Sequence, residues 1–377
     1  MNDLDYNLGV VGLGHWFSWL EKGLGGGRGL NLKKVVGTRS YDDKKALLES
    51  FGIGRQDYFV SDREGRIPER FFDGLDLVHI SDPNRFHKEQ TIESLNNGKY
   101  VIVEKTIATN KMEFENITSY VKEEGLERML YLHLHYLHKQ ATIGLRDAIP
   151  GLVNRYGRIK SVNATFFEPV NGEDPKRTWV LDMENGGLFM DWIHPFEVVF
   201  HSTGCRFGKM VGVKDLIVNR DYSETNPTGV ESVIMLHGKN YAEDARMATR
   251  FAKGTENRFG RKQMVLDFAS GARALLSFPG HEEEFNNAME RGKLEIIRDG
   301  KLVSTKRFSG PNSSEMFIKE IFEFCEGRNP GLKLQEIAEV FKPQWEYQSM
   351  AGSERLVKDV VSINKFLNEG LAEVDCR

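Results

Sequence analysis

Tyr6-Asn-Leu-Gly-Val-Val-Gly12-Leu-Gly14-His15-Trp16-Phe17 is the stretch that decides the fold. Tyr6–Val11 has the apolar, β-branched character of a strand, two glycines follow at once, and Trp16, Phe17, Trp19, Leu20 and Leu24 then recur at helical spacing. A strand that feeds a glycine turn and a helix is the repeating unit of a parallel sheet with crossover helices. The rhythm continues outward to about residue 135, with further strands predicted over Leu32–Gly37, Asp57–Val60, Leu77–Ile80, Tyr100–Glu104 and Met129–His135. Asn110, three residues before Glu113, marks a helix start, and Gly125 stands where a left-handed residue would end that helix. Residues 1–135 therefore read as a doubly wound α/β Rossmann domain.

Beyond residue 136 the runs lengthen and loops separate them: Ile159–Phe167, Glu231–Leu236, Met264–Phe268, Ala272–Phe278 and Lys293–Ile297. Helical spacing returns over Ser314–Phe324 and Ser353–Leu367. Residues 136–377 are expected to form an α+β domain on a large, mostly antiparallel open sheet. Two domains suit a length of 377 residues.

Composition narrows the partners. With 51 Lys+Arg against 55 Asp+Glu, the formal charge is −4, and no strong field draws the chain to nucleic acid or anionic lipid. Cys205, Cys325 and Cys376 lack CxxC spacing, which argues against a disulfide framework and a zinc-thiolate site and fits a reducing cytoplasm. No basic, long-apolar leader opens the sequence, and no apolar run approaches the length of a membrane span. No internal repeat is found, and the most biased stretch, Gly23–Gly29, reads as a flexible loop.

Gly12, Gly14, His15 and Trp16 form the turn where backbone amides and a helix N-terminus would meet a pyrophosphate, with Phe17 at the third glycine position. The second strand ends in Val36-Gly-Thr38-Arg39-Ser40 and offers no carboxylate for a ribose before Asp42. Thr38, Arg39 and Ser40 suit a 2′-phosphate, so NADP is expected over NAD. The alternative is a solvated arginine beside a Ser40 that only caps the next helix. Asp82, Asn84 and His87 follow the fourth strand, and Glu104-Lys105-Thr106 closes the fifth, all at the carboxyl edge where such sheets bind ligands. Asp191 and His194 stand three residues apart in Gly186-Gly-Leu-Phe-Met-Asp191-Trp-Ile-His194-Pro, on one face if the segment is helical. His133, His135 and His138 form a tempting metal cluster, but no carboxylate or cysteine lies nearby in sequence and no metal is expected.

Taken in order, Gly12 and Gly14, Asp82-Pro-Asn84 with His87, Glu104-Lys105, Trp179 and Gly186 to His194 resemble the Gfo/Idh/MocA oxidoreductases, the family of glucose-fructose oxidoreductase and inositol dehydrogenase. The resemblance runs nearly the whole chain, with two departures: Phe17 replaces the third glycine, and Thr106 replaces the proline of the family's E-K-P. It implies an NAD(P)-dependent dehydrogenase or reductase acting on a sugar, cyclitol or related polyol. It further implies that Lys105 and His194 flank the reacting carbon, with Asp191 close by, and a homodimer or homotetramer formed through the second-domain sheet. His135 or Tyr136, at the start of the second domain where a cleft should open, is expected to touch substrate, and Trp179 is expected as a pocket-wall or domain-core aromatic. A histidine near its ordinary pKa can exchange the hydroxyl proton, and an ammonium can stabilise developing alkoxide. Two other functions compete. A redox-neutral NAD-dependent glycosidase would show no net cofactor turnover, and a non-catalytic NADP-binding regulator would bind cofactor without hydride transfer.

Overall fold

The computed structural model describes residues 5–14, 17, 29–169, 185, 187–217, 228–238, 245–255, 261–279, 291–329, 331–350 and 359–360. Two compact units emerge. One comprises Met1–His135, Glu184–Gly186 and Ser314–Ile337; the other comprises Tyr136–Met183, Gly187–Ser313 and Ala338–Arg377.

The first unit is built on six parallel strands: β1 (Tyr6–Val11), β2 (Leu30–Gly37), β3 (Tyr58–Val60), β4 (Leu77–Ile80), β5 (Tyr100–Glu104) and β6 (Leu130–His133). Their order is β3-β2-β1-β4-β5-β6, the dinucleotide-fold arrangement in which the chain reverses direction between β1 and β4. Leu8, Val10, Val11, Leu77, Val78, Ile80, Val101, Ile102 and Val103 are fully buried, as strands covered on both faces require. Helices α1 (Tyr41–Ser50), α2 (His87–Asn96) and α3 (Lys111–Glu123) make the connections among the described residues. Asn110 caps α3 by accepting from the Glu113 amide at 3.0 Å, and Gly125, at φ +68°, follows its end. The first crossover helix expected around Trp16–Leu24 lies, Phe17 apart, outside the described residues.

The expected second domain, 136–377, is interrupted. Helix α7 (Ser313–Cys325) carries Phe317 onto the His133 ring, stacked at 3.6 Å, and Phe324 onto Tyr131 and Tyr100, at 5.3 and 5.8 Å. The Tyr131 hydroxyl donates to Glu320 at 2.7 Å. Its aromatic face is matched to β5 and β6, which is why Ser314–Ile337 clusters with the Rossmann sheet rather than with its sequence neighbours.

The second unit holds α4 (Gln140–Tyr156), α5 (Phe189–Trp192), α6 (His194–Thr203), α8 (Leu334–Ser349) from Ala338 onward, and a nine-stranded sheet. Its strands are β7 (Ile159–Pro169), β8 (Arg206–Ile217), β9 (Gly229–His237), β10 (Ala245–Thr255), β11 (Arg261–Phe268), β12 (Arg273–Ser277), β13 (Lys293–Arg298), β14 (Lys301–Arg307) and β15 (Asp359–Val360). The order β14-β13-β12-β11-β7-β10-β9-β8-β15 is antiparallel except at β10–β7 and β15–β8. Trp192, fully buried, donates its indole N–H to Thr249 Oγ1 at 2.9 Å and so fixes α5 on β10. Helix Ser353–Leu367, expected from spacing, lies outside the described residues.

Candidate active site

In the first unit the turn after β1 presses against the end of β4. Gly12 has φ +98°, and a Cβ there would lie 2.7 Å from the Asp82 nitrogen and the Ser81 carbonyl carbon, so the position admits glycine only. At Gly14 a Cβ would meet nothing within 4 Å. Among the described residues nothing fills the space beside Gly14, where a bound pyrophosphate could approach the backbone closely. Phe17, at the third glycine position, is buried edge-on against Phe51 at 5.4 Å. His15 and Trp16 lie outside the described residues.

Thr38, Arg39 and Ser40 are all exposed at the carboxyl end of β2. Ser40 caps α1 in a reciprocal box with Asp43, its hydroxyl 2.7 Å from the Asp43 carboxylate, and Asp42 is tied to Arg55 at 2.5 Å. Both carboxylates of this loop are thus engaged, and Arg39 is exposed beside them.

Asp82 is buried, which pushes its carboxyl above the usual range, against the opposing effect of a hydrogen bond from Gln90 at 2.9 Å. Asn84 donates to the Asn185 carbonyl at 2.9 Å. His87 was expected at the cofactor, but its ring sits between two backbone carbonyls, Nδ1 2.8 Å from Thr106 and Nε2 2.7 Å from Asp82. The ring lies between the two turns, and in its neutral form it donates to one of the two carbonyls. Burial lowers its pKa, against the pull of those carbonyls.

Glu104, at the end of β5, points into the interior. Its Oε1 lies 2.6 Å from His133 Nδ1 and 3.1 Å from His79 Nε2, with all three side chains buried. Burial alone would raise the carboxyl; the charge and hydrogen bond of His133, with those of His79, outweigh it and hold the group at about 2. The three potential ligand atoms lie within 4.8 Å of one another, but one oxygen shared by two imidazoles at these distances is charge-assisted hydrogen bonding. His133 is thus hydrogen-bonded to β5 through Glu104, which also meets His79 of β4, while the His135 ring lies edge-on to it at 6.5 Å between centroids. Lys105 follows, buried, and is joined to Thr106 by a cis peptide bond.

In the second unit, Asp191 belongs to α5 and His194 opens α6, with a break at Ile193 between them. His194 Nδ1 is 2.8 Å from Glu197 Oε1, and Nε2 is 3.6 Å from Asp191 Oδ1. The Tyr136 ring covers the imidazole at 4.5 Å between centroids. Asp191 forms an ion pair with Lys253, and Glu168 forms one with Lys262 at 3.1 Å. Glu168 is held below the usual carboxylate range: burial opposes ionisation, but Lys262 together with Lys253 and His194 outweighs it. Burial pushes the Tyr136 phenol upward. The result is a buried histidine between two carboxylates, within a network whose cations are already paired. With Asp191 and Glu168 paired to lysines, Glu197 is the carboxylate left to balance a proton taken up by the imidazole. Glu197, Lys253, Glu168 and Lys262 were not singled out by sequence. Glu197 could have been found, being three residues after His194 on a helix, whereas the lysines reach the cluster only through strand pairing. Trp179 lies outside the described residues, and His135 is half-buried at the end of the first unit.

A Rossmann sheet with a glycine turn at its carboxyl edge is the form of a dinucleotide-binding domain, and residues 6–131 match the family model described as an oxidoreductase family with an NAD-binding Rossmann fold. Through that domain the chain resembles the Gfo/Idh/MocA oxidoreductases. It is 42% identical over 132 residues to scyllo-inositol 2-dehydrogenase (NADP(+)) IolU of Bacillus subtilis strain 168, covering 34% of this chain and 40% of that protein. It is 26% identical over 164 residues to a dTDP-3,4-didehydro-2,6-dideoxy-alpha-D-glucose 3-reductase of Actinomadura kijaniata, covering 43% and 45%. The chain thus spans under half the length of these curated relatives. Over the whole fold it resembles aldose-aldose oxidoreductase from Caulobacter crescentus, solved with glycerol (TM-score 0.70, 14% identity, 92% of this chain and 97% of that one). A second solved likeness is KijD10, a 3-ketoreductase from Actinomadura kijaniata in complex with TDP-benzene and NADP (TM-score 0.69, 16% identity, again 92% and 97%). Among the described residues, no helix is long and apolar enough to cross a membrane.

Proposed function

We propose that this chain is an NAD(P)-dependent oxidoreductase, preferring NADP, that transfers a hydride between the nicotinamide and a carbon of a sugar, cyclitol or related polyol or its carbonyl form. The observation that carries the reading is His194 held between Glu197 and Asp191 in a chain whose other unit is an NAD-binding Rossmann domain. The names of the relatives, an inositol dehydrogenase and a sugar ketoreductase, support the substrate class.

Gly12, Gly14, Asp82 and Asn84 would hold the dinucleotide, with Thr38, Arg39 and Ser40 toward its adenosine end. Bound NADP supplies the hydride acceptor or donor. In the oxidative direction His194 takes the hydroxyl proton as the carbonyl forms, and in reduction it returns that proton to the oxygen. Lys105, as an ammonium, donates a hydrogen bond to the same oxygen and stabilises its negative charge. Asp191 orients the substrate hydroxyls beside His194, its charge balanced by Lys253. His135 and Trp179 complete the substrate's surroundings, and the chain assembles as a homodimer or homotetramer in the cytoplasm.

The test is a screen of sugars, sugar acids and polyols with NADP and NAD, following the absorbance of reduced nicotinamide. Net reduction of NADP is expected with at least one polyol, and Lys105→Ala and His194→Ala should each lower kcat by about a hundredfold or more with cofactor affinity retained. Wild-type turnover in both variants would remove these residues from the chemistry. Cofactor binding without net turnover on a substrate that is nevertheless cleaved would mark a glycosidase instead.

A further inference from the structure

We infer that Glu197 is the positioning residue of the acid/base: it fixes the proton on His194 Nδ1, so that Nε2 is the nitrogen that exchanges a proton with substrate. The inference rests on the proposed role of His194 and adds to it the residue that sets its tautomer.

The geometry is specific to that task. Glu197 lies in the first turn of α6, where a carboxylate commonly accepts from the unpaired backbone amides of the helix start. Glu197 does not; its Oε1 faces His194 Nδ1 at 2.8 Å, and its Oε2 has no hydrogen-bond partner among the described residues. Both side chains are essentially inaccessible, at 0% and 1%. A carboxylate buried with the imidazole as its partner is costly unless that bond is used. An ionised carboxylate can only accept, so Nδ1 carries the hydrogen and Nε2 carries the lone pair. Nε2 is the nitrogen on the side of Asp191, at 3.6 Å from its Oδ1. The tilted Tyr136 ring, 4.5 Å away, holds the imidazole plane in place. When Nε2 takes a proton, the imidazolium lies against a carboxylate that is already in position, and no group has to move to meet the new charge.

The distinction between tautomer and bulk structure can be measured on the full-length protein. Histidines labelled with nitrogen-15 report by NMR which ring nitrogen bears hydrogen, and His194→Asn identifies the signal. The wild type is expected to show the Nδ1–H form at His194. Glu197→Leu, of similar volume, removes the acceptor and leaves Nδ1–H buried and unsatisfied, so the ring should shift by roughly tenfold or more toward Nε2–H. Turnover of the substrate found in the screen should fall by roughly tenfold or more in kcat while KM and NADP affinity stay within about twofold. Glu197→Gln keeps an acceptor oxygen and should restore the Nδ1–H form. Either a wild-type signal of the Nε2–H form or an unchanged tautomer in Glu197→Leu overturns the inference, and the first outcome requires no variant to fold. A tautomer that switches without any loss of turnover would leave Glu197 as the positioning group and overturn the acid/base role of His194 instead.

Discussion

Replacing Glu104 with glutamine removes a charge from the heart of the Rossmann sheet and keeps an oxygen for both imidazoles. The Glu104 carboxyl stands at 4.5 when unperturbed and at about 2 in the fold, a separation equivalent to about 3 kcal/mol. Because the folded value is depressed, this stability is fully present above about 4.5 and is lost as the pH falls through about 2. With these two values, acidification from about pH 7 to about pH 4 should cost the wild type about 1 kcal/mol through Glu104 alone. Glu104→Gln has no such carboxyl, so its deficit against the wild type should narrow by that amount over the same interval. The amide also puts a new donor where Oε2 has no partner among the described residues, a penalty that does not change with pH and leaves the difference intact. Urea unfolding of both proteins by circular dichroism, at matched ionic strength, provides the measurement. A deficit that stays constant, or grows on acidification, would refute the claim that His133 and His79 hold an ionised carboxylate there.

Gly12→Ala should destabilise the chain by about 1–3 kcal/mol and weaken NADP, since the added methyl meets the Asp82 amide at 2.7 Å on a backbone at φ +98°; thermal unfolding with and without NADP checks it, and an unchanged melting temperature would contradict it. Arg39→Ala should weaken NADP by roughly ten- to a hundredfold and leave NAD nearly unaffected; equal loss for both cofactors in fluorescence titrations would rule out a phosphate contact. Lys253→Met withdraws the cation paired with the nearly buried Asp191 and should cost about 3–5 kcal/mol, part of it regained in Asp191→Asn/Lys253→Met. A loss below about 1 kcal/mol in urea unfolding would show that this pair is solvated.

The parts of the molecule legible in its sequence are those whose environment is uniform along the strand. β1, β4 and β5 match their expected bounds to the residue because a parallel strand covered on both faces reads as an unbroken apolar run. β14 was missed for the opposite reason: Lys301–Arg307 is exposed at every position, so no alternation marks an inner face. β10 was missed although it is largely buried, because Arg246, Arg250 and Lys253 break its apolar character. Of those charges, Arg250 is tied to Glu231 on β9 and Lys253 to Asp191. The same reasoning separates the two sets of site residues. Gly12, Gly14, Asp191 and His194 act through local spacing, which a single segment displays. Lys253 and Lys262 act through register: β10 sets Lys253 opposite Glu168, and β11 sets Lys262 opposite Phe166, two residues before Glu168 on β7. Those pairings join strands more than eighty residues apart in sequence, so the charges that balance Asp191 and Glu168 become visible only once the nine-stranded sheet exists. The proposed acid/base residue is thus a local feature, while the ion pairs that surround it belong to the fold. Substitutions in β10 and β11 should accordingly change how His194 works without touching any motif that the sequence displays.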